Sequence, residues 1–512
     1  MASIEPIKSP PTWEECMELL DRLPSLPLDE RMEAIERLVR NSSPGIRERA
    51  LRVGAAVLSD DKLTEYLRND EDAVLRNAGL EIFKMRGGRS FPLALRLLKD
   101  PDDDVALQAV LILDHLRDPR ALEPLRTVLD HNDTNVTQAA LLAMGKLGDA
   151  RCIPDLLPFL EGDPWLQMAS VQALGDLRSP LAVKPLSGLL TDLLVGSLAA
   201  EAMARVGGPA AFRALAAHWL AYREQLETES MLGLLAHVLE GLSQAPSAEE
   251  GLVESLAAHL GDPSPDARSA AARCLLSLGP TAWDERALDA LTAAQPPGGG
   301  SLPACLTRRP DLIAALLART GELRAWGFEL AARHPRAIPA EAFFATLPEA
   351  AEAPDLLDPI VQALARFRHP ELGGALLSLY LRLPAEARGA LAPVIKSHAR
   401  ELRQALDERR DVDAADRLVL AARLGKPARE VARELQELPP AGRPAAVAQL
   451  EELKPVLRLL PWEQWIEEAP DVYTDLAAEA ASRAELRELL PALRARAGTT
   501  STPALIRAFG SL

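Results

Sequence analysis

The chain has 512 residues, of which 48% are hydrophobic and only 4% are aromatic. Its formal net charge of −17 argues against tracking a phosphate backbone or binding an anionic membrane surface, because both need clustered Lys and Arg. Ala and Leu dominate the apolar residues and favour helices over strands, so the composition predicts an all-α fold.

The negative charge is concentrated in the first part of the chain. Residues 1–300 hold 29 Lys+Arg against 45 Asp+Glu, whereas residues 301–512 hold 28 against 29. Such an acidic surface either docks a basic partner or is a solvated surface that keeps the protein soluble. We favour the second interpretation, because acidic surfaces are common in soluble proteins.

The N-terminus and the cysteines favour a cytoplasmic protein. Met1–Pro11 lacks a basic segment followed by an apolar run, so no signal peptide is predicted. No apolar stretch reaches the roughly 18 residues needed to span a membrane. Cys16, Cys152, Cys274 and Cys305 form no C-x-x-C pair, and we expect Cys152 and Cys274 to be core residues.

Residues 30–293 are predicted to form a regular array of helix pairs, preceded by a tail and a capping helix over residues 1–29. Short first helices are predicted at Leu122–Leu129, Ile153–Leu160 and Val183–Leu190. The second helices begin on apolar residues spaced 28 to 36 residues apart, with small residues such as Ala109 and Ala140 at their centres. Those first apolar positions are Ile46, Val74, Val105, Val136, Leu166, Val195, Met231 and Ala267.

Asp and Gly residues mark the ends of the second helices. The turns Asp100–Asp104 and Gly261–Asp266 place carboxylates where they can accept the free N–H groups of a first helical turn. Gly148, Gly207 and Gly279 follow second helices, where a left-handed residue is favoured. These turns are therefore predicted to cap helices and not to bind metal ions.

The segments Val136–Gly148 (VTQAALLAMGKLG) and Ala267–Gly279 (ARSAAARCLLSLG) carry the repeat most clearly. Together with the preceding D-x-R turns, this pattern resembles the short HEAT repeats of the phycobilisome-lyase type, over about residues 30–280. The resemblance implies a right-handed α-solenoid of stacked antiparallel helix pairs, with the second helices on the concave side. It says little about activity, because such repeats serve many functions.

Residues 294–303 are rich in Pro and Gly and are predicted to be a linker. Residues 304–512 are predicted to be a region of degenerate helical repeats. Its predicted helices include Leu391–Glu408, Ala414–Leu424, Arg443–Leu459 and Ala481–Arg496.

Trp462 and Trp465 lie about one helical turn apart near the end of the chain. They are a secondary candidate for partner binding, as exposed aromatic anchors. We favour the alternative that they seal the last repeats, because terminal repeats need a distinct cap.

The sequence contains no recognisable catalytic constellation. Its eight His residues form no H-x-x-x-H or H-E-x-x-H motif, and no phosphate-binding loop or G-x-S-x-G motif is present. The repeated His-Glu pairs of HEAT-like iron hydroxylases are also missing. We therefore expect no catalytic residues, no metal and no cofactor. An accessory enzyme of the chromophore-lyase type stays open as the alternative, whereas a glycosylase with a basic cleft fits poorly.

A non-catalytic scaffold or adaptor is the leading hypothesis for function. The second helices of the three middle repeats carry apolar and amide residues where we expect the concave face, and this strip suits a helix or an extended peptide of a protein partner. An equally weighted alternative is that a tightly curved groove or the C-terminal half covers the strip. Neither nucleic acid nor membrane insertion is expected. The strip consists of Leu107, Leu111, Gln138, Leu142, Met168 and Gln172.

Overall fold

The computed structural model describes residues 13–69, 71–247, 250–293, 302–350, 353, 356–450, 454–468, 473 and 477. Within these ranges the chain forms helices joined by turns and short 3-10 segments, without any strand, which confirms the all-α prediction. The chain divides into two compact units, residues 1–274 and 275–512. The boundary falls inside the helix Pro265–Leu278.

Unit one is a stack of helix pairs, as predicted for an α-solenoid. From α2 onward, even numbers denote the first helix of each pair and odd numbers denote the second. Each pair packs on the next pair along the chain. The helices are α1 (Trp13–Arg22), α2 (Leu28–Leu38), α3 (Pro44–Val57), α4 (Asp60–Leu67), α5 (Ala73–Arg86), α6 (Phe91–Leu97), α7 (Asp103–Leu116), α8 (Leu122–Arg126), α9 (Thr134–Leu147), α10 (Ile153–Leu156), α11 (Pro164–Asp176), α12 (Val183–Ser187), α13 (Gly196–Val206), α14 (Gly208–Tyr222), α15 (Thr228–Gly241), α16 (Glu250–Ala258) and α17 (Pro265–Leu278).

Three first helices are shorter than the sequence predicted. The α-helical parts of α8, α10 and α12 end at Arg126, Leu156 and Ser187, and the chain continues in 3-10 segments or turns. Pro158 lacks the N–H that would extend α10. The hydroxyls of Thr127 and Ser187 donate to the carbonyls three residues earlier, at 2.7 and 2.8 Å. Such side-chain bonds compete with helical hydrogen bonds and favour tighter turns.

A column of Asp residues caps successive second helices. One carboxylate oxygen of each accepts hydrogen bonds from the N–H groups two and three residues later, at 2.8–3.4 Å. The turn at 261–266 differs from the prediction that an Asp carboxylate caps the helix. The Ser264 hydroxyl accepts from the N–H of Ala267, while Asp262 accepts from the N–H of Ser264. The capping residues are Asp72, Asp102, Asp133 and Asp163, and Asp192 makes the same two bonds in the turn that precedes α13.

The glycines that follow second helices have positive φ, as expected for helix ends. The φ angles of Gly148, Gly207 and Gly279 are +73°, +66° and +113°. Cys152 and Cys274 are buried in the core, as predicted, and so are Cys16 and Cys305.

Small residues let the second helices of unit one approach each other closely. A Cβ added to Gly145 of α9 would lie 2.5 Å from the Cα of Ala173 in α11. A Cβ on Gly175 of α11 would likewise lie 2.8 Å from the Cα of Ala202 in α13. Backbone therefore meets backbone along this layer, which fixes the relative positions of α9, α11 and α13.

Unit two is also a succession of short helices. Its first well-described residues complete α17, and its further helices are α18 (Asp284–Ala293), α19 (Ile313–Leu317), α20 (Gly321–Arg333), α21 (Ala340–Ala350), α22 (Leu357–Arg366), α23 (Leu372–Arg382), α24 (Ala392–Ser397), α25 (Ala399–Glu408), α26 (Ala414–Arg423), α27 (Ala428–Glu437), α28 (Arg443–Gln449), α29 (Lys454–Leu457) and α30 (Trp462–Glu468).

The predicted single helix Leu391–Glu408 is wrong. Its α-helical part begins at Ala392, and the backbone leaves the helical conformation at His398, with φ −122° and ψ 31°. The His398 ring is fully buried, and its Nε2 lies 2.9 Å from the carbonyl oxygen of Leu364. The chain therefore forms two helices, α24 and α25, on either side of this buried residue.

The other predictions for this region have mixed outcomes. The helix predicted at Ala414–Leu424 is found within one residue, as α26. The one predicted at Arg443–Leu459 contains α28 and α29, and residues 451–453 between them lie outside the described residues. The helix predicted at Ala481–Arg496 and most of the linker predicted at 294–303 also lie outside them.

Candidate protein-binding surface

The six residues of the predicted strip lie on one layer of unit one, in α7, α9 and α11. Leu107, Gln138, Leu142 and Met168 are partly exposed, and Leu111 and Gln172 are exposed. Residues on the opposite faces of the same helices, such as Val105 and Ala109, are fully buried. The strip therefore points away from the core of the helix pairs.

The strip belongs to the more tightly packed of the two helix layers. Second helices α7, α9, α11 and α13 pack directly on one another in sequence. Among the first helices α6, α8, α10 and α12, all of which the structure describes in full, no two pack as closely. That this layer forms the concave side of the solenoid stays a prediction.

Ion pairs between successive repeats border the strip at the C-terminal ends of the second helices. Lys146 Nζ of α9 lies 2.8 Å from Asp114 Oδ2 of α7. Arg205 Nε of α13 lies 3.2 Å from Asp176 Oδ1 of α11. The strip itself is uncharged, and this border pairs its charges locally, so the surface between them favours apolar and amide contacts.

Trp165 extends the strip and was missed by the sequence analysis. Its side chain is 63% exposed. Trp165, Met168 and Gln172 are spaced i, i+3 and i+7 on α11, so they share one helix face. The signal was available, because the positions equivalent to Trp165 in the two preceding repeats hold Asp104 and Asn135.

A cleft opens beside the strip, between α13 and α15. The first apolar positions of these helices, Val195 and Met231, are 36 residues apart instead of the 28 to 31 of the preceding repeats. The extra residues lengthen α14 and the loop that follows it, and α13 packs less closely on α15 than on α11. The cleft has a volume of about 580 Å³ and is walled in part by His218 and Tyr222.

Aromatic and aliphatic side chains line this cleft. The rings of His218 and Tyr222 have centroids 5.1 Å apart. Burial lowers the pKa of His218, which favours a neutral imidazole at pH 7. At the rim, Leu193 is fully exposed, and the adjoining Leu194 is 55% exposed. These residues were not predicted from the sequence, because they lie in a turn, outside the helical periodicity.

The secondary candidate residues Trp462 and Trp465 are both buried. Trp465 is 1% exposed, and its ring centroid lies 6.0 Å from that of Trp462. Trp462 Nε1 donates a hydrogen bond to the carbonyl oxygen of Leu457 at 2.9 Å. Both side chains belong to the core around α26–α30, so they are not exposed aromatic anchors. That they seal the last repeats stays an interpretation.

Neither a metal-binding cluster nor a membrane-spanning helix is present in the part of the chain that the structure describes. In those residues, no group of three or more His, Cys, Asp and Glu side chains is arranged to hold a metal ion. Within the same residues, no helix combines the length and the apolar character required to cross a bilayer.

Residues 92–165 match the family model of HEAT repeats. This segment consists of HEAT repeats. It contains α7 and α9 and reaches the first turn of α11, so it includes Leu107, Leu111, Gln138 and Leu142 of the strip. The match confirms the predicted repeat type, whereas the phycobilisome-lyase subtype stays a prediction.

Among solved structures, the chain is similar to the karyopherin Kap121p bound to the SUMO protease Ulp1p and to Kap121p bound to Pho4p. Both comparisons give 13% identity and a TM-score of 0.40, and they cover 98% and 94% of this chain. The chain spans 66% and 64% of the length of those karyopherin chains. An engineered protein is 16% identical with a TM-score of 0.27, covering 80% of this chain and 97% of its own. No curated protein matches the sequence.

Proposed function

We propose that the protein is a non-catalytic scaffold or adaptor that binds a segment of a protein partner along the strip on α7, α9 and α11. The observation that carries this proposal is the uncharged, partly exposed strip on the second-helix layer, of which α7 and α9 lie within the HEAT-repeat segment. Inner faces of solenoids commonly bind extended or helical segments of other proteins. The Kap121p chains to which this protein is similar were themselves solved in complex with protein partners.

The strip can supply useful binding energy without rearranging the fold. Leu107, Leu142 and Met168 are already partly buried, and Leu111 is 38% exposed. A partner that covers the rest of each side chain would gain about 1 kcal/mol per residue, roughly half of the value for complete burial. Gln138 and Gln172 add amide groups, which can donate to and accept from the backbone of a bound segment.

The proposal is tested by charging the strip. The double variant Leu107→Glu with Leu142→Lys places unlike charges on an apolar surface, and we expect it to lose partner capture from an extract of the native host. The matched control is Leu157→Glu with Leu181→Lys, because those leucines are 40% and 68% exposed at positions outside the strip. Circular dichroism at 222 nm verifies that both variants stay folded.

Equal capture of the same partner by the wild type and the strip variant would contradict the proposal. Loss of helical signal in the strip variant alone would show that these residues are core. A chromophore that co-purifies with the wild type and absorbs visible light would instead support the lyase-like alternative.

A further inference from the structure

The turn before α13 holds two leucines out in the solvent. Leu193 is fully exposed and Leu194 is 55% exposed. Their backbone is well fixed, since Asp192 Oδ1 accepts from the N–H groups of Leu194 and Val195 at 2.8 and 3.0 Å. The N–H of Asp192 in turn donates to the carbonyl of Leu189 at 2.9 Å. Apolar groups presented by an ordered turn lose little conformational freedom on binding, which favours association.

The cleft behind Leu193 has the size of a binding site and is acidic. Its volume of about 580 Å³ lies within the range of sites that enclose organic ligands, so it has room for a bulky side chain. Among the described residues that line it, Asp192 and Glu227 carry negative charge and none is Lys or Arg. The hydrogen bonds from Val195 and Leu194 lower the pKa of Asp192, which keeps this carboxylate ionised.

We infer that this cleft accepts a bulky apolar side chain of a protein segment that carries Lys or Arg beside that side chain. Tyr222 and Met231 contribute to the apolar wall, and Leu193 supplies the apolar rim. Asp192 and Glu227 supply the complementary charge, which selects a basic neighbour and speeds its association. This inference rests on the proposed function, because it names the chemistry of the segment that also covers the strip.

The exposed turn is continuous with the strip through Trp165. Leu194 and Trp165 occupy equivalent positions of successive repeats, 29 residues apart, and α11 packs directly on α13. Packed helices lie about 8–10 Å apart, so the path from α13 to α7 across three helix steps measures about 27 Å. An extended segment of about eight residues, at about 3.3 Å per residue, spans that distance.

The probe for this proposal is a phage-displayed library of random 12-residue peptides, selected on the full-length wild-type chain. The peptides that are enriched should place an aromatic or large aliphatic residue within two positions of Lys or Arg. One of them is then synthesised with a fluorescent label, and its Kd is measured by anisotropy. A matched peptide with Glu in place of each Lys and Arg should bind at least about tenfold more weakly.

Three variants locate the binding site of the labelled peptide. Leu193→Ser removes the apolar rim, and Asp192→Asn with Glu227→Gln removes the charge, while Asn caps a helix about as well as Asp. We expect each to weaken binding about tenfold, the typical scale of a contributing interface contact. Leu181→Ser is the control, because Leu181 is 68% exposed but lies outside the cleft, and it should leave the Kd unchanged.

The outcomes separate this inference from the proposed function. Peptides without the basic-apolar pairing, or no enriched peptide at all, would overturn the inference. It would also fall if the cleft variants bind the selected peptide as tightly as the wild type does. If only Leu107→Glu with Leu142→Lys weakens binding, the strip remains the site and the cleft is excluded. If the cleft variants weaken binding and the strip variant has no effect, the inference holds for the cleft and the proposed function fails.

Discussion

Replacing Gly145 with Ala tests whether close backbone packing holds the second-helix layer together. The new Cβ would lie 2.5 Å from the Cα of Ala173 and 2.8 Å from its Cβ and carbonyl oxygen. Real Cβ atoms do not approach other atoms this closely, and no flexible side chain can move aside, because two of the three neighbouring atoms are backbone. Helices α9 and α11 must therefore separate.

The expected magnitude is the difference between two opposing effects. In an unobstructed helix interior, Gly→Ala stabilises by about 1 kcal/mol. Overpacking costs about 1–3 kcal/mol and occasionally more, and here the backbone contact places it at the upper end. We therefore expect Gly145→Ala to lower the free energy of unfolding by about 1–2 kcal/mol, after the helix-propensity gain is subtracted.

The assay is urea unfolding followed by circular dichroism at 222 nm, with Gly233→Ala as the matched control. Gly233 lies inside α15, and a Cβ added there meets no heavy atom within 4 Å. Its substitution should raise the unfolding midpoint, whereas Gly145→Ala should lower it. A midpoint for Gly145→Ala at or above that of the wild type would refute the idea that the backbone contact limits this layer.

Three further predictions follow from contacts in the two units. Asp133→Ala should destabilise unit one by about 1 kcal/mol in urea unfolding, because the cap of α9 is lost, whereas Asp133→Asn should stay close to the wild type. The hydrogen bonds from Arg151 lower the pKa of Asp149 to about 2, so the stability it contributes is present above about pH 4 and is lost as the pH falls toward 2. In Arg151→Gln, the loss of stability between pH 4 and pH 2, measured by urea midpoints, should therefore be smaller than in the wild type. Arg309 is 3% exposed, pairs with Asp284 and donates to the carbonyls of Leu276 and Gly279. In the same unfolding assay, Arg309→Met should therefore destabilise unit two by about 3 kcal/mol, and Arg309→Lys should destabilise it by less.

The second helices were predictable because one face of each carries the repeat. Val105 and Val136 are fully buried at equivalent positions, and the small residues Ala109 and Ala140 between the ends are buried as well. The role of Gly145 was not visible in the sequence, since a glycine inside a helix usually signals weakness. Only the position of Ala173 in the next repeat shows that this glycine makes room for a neighbouring backbone.

The first helices and the break at His398 were predicted less well for a different reason. Periodicity reports which residues face the core, but it does not report whether local hydrogen bonds follow an α or a 3-10 pattern. Thr127 and Ser187 decide this locally through their hydroxyls. The bond from His398 to the carbonyl of Leu364 spans 34 residues, so it depends on tertiary packing that the sequence pattern does not encode.

The candidate site also contains residues that the helical periodicity predicts and residues that it does not. The strip was placed on the second helices because its residues share a helical face, and the structure leaves that face partly exposed. Trp165 and Leu194 were missed because they precede the first apolar position of their helices, where the repeats of α7 and α9 place the polar residues Asp104 and Asn135. Packing between neighbouring repeats constrains the repeat consensus. An exposed residue that differs from the consensus therefore adds no stability to the packed repeats. A Trp and a Leu at such equivalent positions, one beside the strip and one beside an acidic cleft, are therefore the residues whose substitution should separate partner binding most cleanly from folding.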